Sequence, residues 1–187
     1  MPSAFSKFDL VENIEFTLTD KDGKCKKLFQ PFAPFAWVIS HFGVQVPQCF
    51  PFGTWQNSLK VANLIPTVGK AGIAARINAV GTPAAFTYLA LGITNTAADP
   101  ADTTLASEIV DSGLERAAAT CTVTTITTTD DTAQLAHTWT ASGAKGLVET
   151  GVFNDPTTGT LLARSIFAIV NVAIGDSFTM TYKVKVA

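Results

Sequence analysis

Two histidines, three cysteines and one loop rich in carboxylates are the groups with which this chain could do chemistry. A general base needs a partner group within hydrogen-bond reach, and His41 and His137 stand far apart in the sequence. His137 falls in Leu135-Ala-His-Thr-Trp139, an apolar strand pattern, and reads as a packed or interface residue. Neither histidine has metal-ligand spacing to a cysteine. Cys25, Cys49 and Cys121 are odd in number and widely spaced, which argues against a disulfide framework and for reduced, buried thiols.

Two short stretches imitate known sites and fail on inspection. Asp20-Lys-Asp-Gly23 opens like a calcium loop but lacks the third acidic position and the distal glutamate, so it reads as a hairpin turn. Gly69-Lys70 has Leu64 where a phosphate-binding loop needs its leading glycine, and Ala71 where it needs a hydroxyl for magnesium. Asp99, Asp102, Glu108 and Asp111 share one long loop, where a surface cation or a carbohydrate contact is the functional alternative to a solvated connector. The connector is the reading adopted. Catalytic residues, metal ligands and cofactor-binding residues are therefore all expected to be none, and the chain is read as not an enzyme.

The elements that position these groups are mostly strands. Residues 13–29 alternate, turn at Asp20–Gly23 and alternate again, which predicts a β-hairpin. Lys24, Lys26 and Lys27 are balanced by Asp20 and Asp22 and read as its solvated end. Val68–Val80 predicts a helix with Ile73, Ala74, Ile77 and Val80 on one face, ending at Gly81-Thr-Pro83. Ala84–Gly92 reads as a strand covered on both faces, and Thr103–Val110 as a short helix capped by Asp102. Arg116–Thr129, Ala133–Ser142, Gly146–Phe153, Thr160–Val170 and Ser177–Val186 read as five strands separated by Asp, Asn, Gly and Pro turns. The Thr-rich run from Thr120 to Thr129 reads as water-exposed sheet, with a glycan-lining face as its alternative. The fold expected is mainly β: an antiparallel β-sandwich, jelly-roll or immunoglobulin-like, with an N-terminal hairpin or arm and one or two short helices. Its division is 1–67 as hairpin and docking segment, 68–85 as helix and connector, and 86–187 as the sandwich. Deleting residues 1–55 is expected to leave that sandwich folded.

Composition suggests that something covers this surface. Charged residues are 15% of the chain, against about 25% in ordinary soluble domains. The most apolar stretch, from Gln30 to Phe52, is broken by four prolines, so it is not a membrane span. A net charge of −2 offers nucleic acid no general attraction. The first seven residues lack the pattern of a secretory signal, so synthesis in a cytoplasm is expected. Nine of the 13 phenylalanines lie at or before position 52, so the first third has more aromatic surface than its own small core needs. Phe29, Phe32, Phe35, Trp37, Phe42, Phe50, Phe52 and Trp55 follow no clean period; they either cap the sandwich or form a docking surface for a partner.

Several blocks occur in an order that resembles structural proteins of tailed bacteriophages. They are Tyr88–Glu108, Glu115-Arg116, Glu149–Asn154, Gly159–Arg164 and Gly175–Ser177, and the resemblance spans about residues 86 to 186. It implies a virion protein made in the host cytoplasm, capsid-associated or tail-fibre-like, without catalytic residues. A charge-poor sandwich behind an aromatic segment suits a capsid decoration or cement protein that stabilises the head. The partners so implied are the major capsid protein and a homo-oligomer, dimer or trimer, with no nucleic acid and no membrane. A tail, neck or baseplate component and a host-surface carbohydrate-binding module, the latter using Trp139, are the alternatives.

Overall fold

Alternation of large apolar with polar residues sets the first layer of the structure. In the computed structural model, which describes residues 10–32, 53–61, 63–81 and 83–186, β1 (Leu10–Thr19) turns at Asp20 into β2 (Cys25–Lys26). The Asp20 carboxylate accepts the N–H groups of Asp22 and Lys24 and fixes that turn. β3 (Leu28–Pro31) and β4 (Gly53–Gln56) form a two-stranded ribbon. β5 (Leu59–Val61), helix α1 (Thr67–Asn78) and β6 (Tyr88–Gly92) follow. A long connection then leads to β7 (Ala117–Ala118), β8 (Thr120–Thr124), β9 (Thr132–Thr140), β10 (Lys145–Phe153), β11 (Leu161–Val172) and β12 (Ser177–Val186). One sheet runs β2-β1-β12-β9-β8 with β5 also paired to β1, and the second runs β11-β10-β6-β7. Every pairing is antiparallel, as expected for a β-sandwich.

The first and last strands build the centre of the core together. Ile14, Phe16 and Leu18 stand opposite Tyr182, Met180 and Phe178, and all six are buried. The Phe16 ring lies 4.5 Å from Phe167 of β11, in the other sheet, and 5.4 Å from Phe178. Burying each such side chain contributes roughly 1.5–3 kcal/mol. β1 is thus an interior strand, flanked by β12 on one side and by β2 and β5 on the other. Divisions at residues 67 and 86 do not coincide with an edge of this sheet. Removing residues 1–55 would delete β1 and open the core, contrary to the expectation that a folded sandwich remains.

A second layer covers the other face of the four-stranded sheet. β10 alternates between the sandwich core, through Thr150 and Val152, and this outer face, through Glu149, Gly151 and Phe153. Residues 93–116 lie over the outer face, with Leu105 packed on Ala90, Phe153 and Leu161. Helix α1 packs against β11, and of the face expected Ile73 does meet the core. Gly69 and Gly72 are its buried residues; a Cβ at Gly69 would collide with the Leu162 carbonyl, so only glycine permits this approach. Ile77 and Val80, placed on the apolar face by periodicity, are exposed to solvent.

Candidate functional site

Charged side chains converge at one place, between the four-stranded sheet and the connection that covers it. Arg164 on β11 and Glu149 on β10 are 1% and 0% exposed. The Arg164 Nε donates to Glu149 Oε2 at 2.7 Å, and its Nη2 pairs with the same carboxylate. Nη1 reaches Asp102 Oδ2 at 2.7 Å and the Ala97 carbonyl at 3.2 Å, while Nη2 also donates to the Thr96 carbonyl at 2.8 Å. Glu149 in turn accepts the backbone N–H groups of Ala106 and Ser107. Burial by itself works against the Arg164 charge, yet its hydrogen bonds to Asp102 and Glu149 outweigh it and hold the guanidinium proton more firmly than usual.

A second arginine repeats the device nearby. Arg116 forms a two-point pair with Glu108, at 2.7 and 2.5 Å, and donates to the carbonyls of Asp155 and Thr158. Its guanidinium lies 3.6 Å from the centroid of the Phe153 ring. The expected helix at Thr103–Val110 does not form, because Glu149 takes the Ala106 and Ser107 N–H groups and the Ile109 N–H bonds the Leu91 carbonyl. Asp102 does not cap a helix; its carboxylate holds the Asp99 N–H and Arg164. Asp111 pairs with Lys145 at 2.8 Å, which holds its carboxyl below the usual range. Three of the four loop carboxylates are therefore counter-charges that fasten the connection, rather than a solvated surface cluster. Among the described residues no three His, Cys, Asp or Glu side chains gather to hold a metal ion. What this arrangement can do chemically is anchor irregular chain to a sheet.

The remaining groups also serve the fold. Trp139 is 3% exposed and donates its indole N–H to the Glu115 carbonyl at 2.8 Å, so it is a core residue and no platform for a glycan. His137 meets Trp139 edge-on at 4.5 Å, and burial lowers its pKa. Cys25 and Cys121 are exposed, not buried as expected, because β2 and β8 are edge strands; Cys49 lies outside the described residues. Lys26 leaves the solvated hairpin end to pair with buried Asp176 at 2.5 Å, which ties the first hairpin to the turn before β12.

Of the aromatic docking residues, Phe29, Phe32 and Trp55 are described; Phe35, Trp37, Phe42, Phe50 and Phe52 lie outside the described residues. Phe29 is buried against Trp55, at 5.4 Å between rings, and against Ala168 of β11. Phe32, one residue beyond β3, is 46% exposed. Pro31 pairs with Gly53, so the chain leaves the ribbon and rejoins it at adjacent positions. Between Lys27 and Lys60 there is no Asp, Glu, Lys or Arg. Trp55 and Ala168, with Lys26, Lys27 and Asn171, line a pocket of ≈ 160 Å³ beside the ribbon. The buried Trp55 indole N–H has no hydrogen-bond partner there. Periodicity could not find Arg164 and Glu149; the one signal was a Glu and an Arg inside otherwise apolar strands. No protein family, curated protein or solved structure matches this chain.

Proposed function

We propose that this chain is a structural protein of a bacteriophage virion, a decoration or cement protein that binds the major capsid protein and stabilises the assembled head. The observation that carries the reading is the uncharged, aromatic stretch between Lys27 and Lys60, whose two ends are held together by the β3–β4 ribbon. The ribbon is fastened to the sandwich through Phe29, Trp55 and Ala168, so a contact made by this stretch would be transmitted to a rigid body. An apolar segment of this kind gains most when a neighbouring protein removes it from water, and many such weak contacts add on a repeating lattice. The ordered blocks between Tyr88 and Ser177 that resemble phage structural proteins point the same way.

Electron cryomicroscopy of the assembled particle tests this directly. Copies in the hundreds on the icosahedral lattice are the expected result. A handful at the neck or tail would move the protein to a tail, neck or baseplate role, and absence from particles would end the virion reading. A companion variant replaces residues 33–52 with a short Gly-Ser linker and leaves β1 in place. It should fold and fail to join particles; normal incorporation would remove the docking role from this stretch.

A further inference from the structure

Sheet edges are where a β protein can grow, because each edge leaves a row of N–H and C=O groups without a strand partner. Among the described residues, most edges here are short or covered. β2 and β7 are two residues long, and β5 is three. β11 is bridged by Leu64, whose N–H and C=O both bond Arg164, and α1 packs on it. β8 is different. It pairs with β9 over five consecutive residues without a register shift, has no strand on its other side among the described residues, and contains no proline and no charge.

Its side chains are open as well as its edge. Cys121 and Val123 share the parity of Ala117 and Ala119, which pack on the core, and stand opposite Leu135 and Ala133. Yet Val123 is 64% exposed, and Cys121 and Ala133 are exposed too. The core-side face of the six-stranded sheet therefore continues beyond the cover of the four-stranded sheet. Ile126, just past β8, adds another exposed apolar side chain.

We infer that β8 is a self-association edge: two copies pair β8 with β8 in antiparallel fashion about a two-fold axis, so that one sheet runs through both. An antiparallel edge is complementary to its own copy under such an axis. Charge selects this occupant: Thr120–Thr129 carries no formal charge, so the second copy meets no repulsion, and a charged partner strand would find nothing to pair with. Four of the five β8 residues are β-branched, and they meet like residues across the axis. As an account of how neighbouring copies touch on a particle, the pairing rests on the proposed virion role; as a property of the purified chain, it does not.

Sedimentation of the full chain over a range of concentrations tests it. The expected result is a shift from 19.7 kDa to twice that mass, with Thr122→Lys weakening the dimer by about tenfold or more through like charges directly across the axis, and Val123→Lys weakening it less, by setting a charge opposite an uncharged Cys121. Both positions are exposed, so circular dichroism and melting should match the parent chain. A Thr122→Cys chain in which Cys25, Cys49 and Cys121 are each changed to Ser should oxidise to a covalent dimer, since residue 122 is the one that meets its own copy when the axis passes through the middle of β8, and this decides the matter should either lysine variant misfold. A parent chain that stays monomeric at every concentration, or a dimer indifferent to both lysines and uncrosslinked through position 122, overturns the pairing. A monomer that nevertheless occupies the head lattice would overturn the pairing alone, and a β8 dimer absent from particles would overturn the virion role alone.

Discussion

The outer face of the four-stranded sheet and the β8 flank of the six-stranded sheet are built on opposite terms. At the first, Arg164 and Glu149 are fully buried and Arg116 bonds Glu108, so that residues 93–116 are held by charge against strands. At the second, five residues without charge end the sheet with edge and faces open. A chain with few ionic groups has spent them where irregular backbone needs fixed partners. A strand edge needs none, since its own N–H and C=O groups supply the binding chemistry. The difference teaches that in this protein charge marks what is closed, and its absence marks what is left open.

The largest effect should come from cutting the sandwich that carries both regions. Deleting residues 1–55 should abolish cooperative thermal unfolding, because β1 and its buried Ile14, Phe16 and Leu18 are lost. Retention of a sharp transition in that truncation would show that the strands from β6 onward suffice. Next, Arg164→Ala should cost about 3–5 kcal/mol in urea unfolding, since it leaves Glu149 buried without its counter-charge. The double variant Arg164→Met/Glu149→Met should recover part of this. The loss that remains measures the Asp102 carboxylate and the backbone groups of Thr96, Ala97, Ala106 and Ser107 left without partners.

Acid should act on turns near both regions. The N–H groups of Thr128, Ile126 and Thr127 hold the Asp131 carboxyl far below its usual range, and those of Thr158 and Thr157 hold Asp155 at about 2. Folded-state pKa values that are depressed give stability present above the unfolded value, about 3.9, and lost as pH falls toward the folded one. Melting temperature should therefore fall between about pH 4 and pH 2, and Asp131→Asn should flatten that slope. An unchanged slope would mean that Asp131 gains nothing from its turn. The smallest effect is reserved for the open flank: Val123→Lys should alter monomer stability by less than about 0.5 kcal/mol. A larger loss would mean that β8 is more closed than its exposure indicates.

Much of the sandwich was legible because strand alternation is a local signal. Ile14, Phe16 and Leu18, and the turn residues between the later strands, announce themselves within a few positions. What alternation cannot carry is partnership across the sequence. Nothing near Phe16 says that it meets Phe167, so β1 read as the start of an arm. Asp102 looked like a helix cap because it directly precedes Thr103–Val110, whereas its partner Arg164 lies on a distant strand. The β-branched run after Thr124 read as continued strand, but Asp131 reaches back to take the N–H groups of Ile126, Thr127 and Thr128. Helix α1 was placed correctly and its face only in part: Ile73 packs on the core as expected, whereas Ile77 and Val80 are exposed, because periodicity counts large apolar residues while the closest approach of this helix is made at two glycines. For the docking residues, the type of side chain was legible and its setting was not: Phe29 is buried at the base of the ribbon and Phe32 is exposed beside it.

The pairing of β1 with β12, from Leu10 with Val186 to Thr19 with Ser177, also sets a timetable for biosynthesis. Chain grows at roughly 5–20 residues per second, so β1 waits on the order of ten to thirty seconds before β12 is made. During that interval Ile14, Phe16 and Leu18 can pair only with the short strands β2 and β5, and the side of β1 that takes β12 stays open until residues 177–186 have left the ribosome. The pairing at the centre of this fold is thus one of its latest to form, and the strands made between β1 and β12 must wait, or fold, around an unfilled place in the sheet.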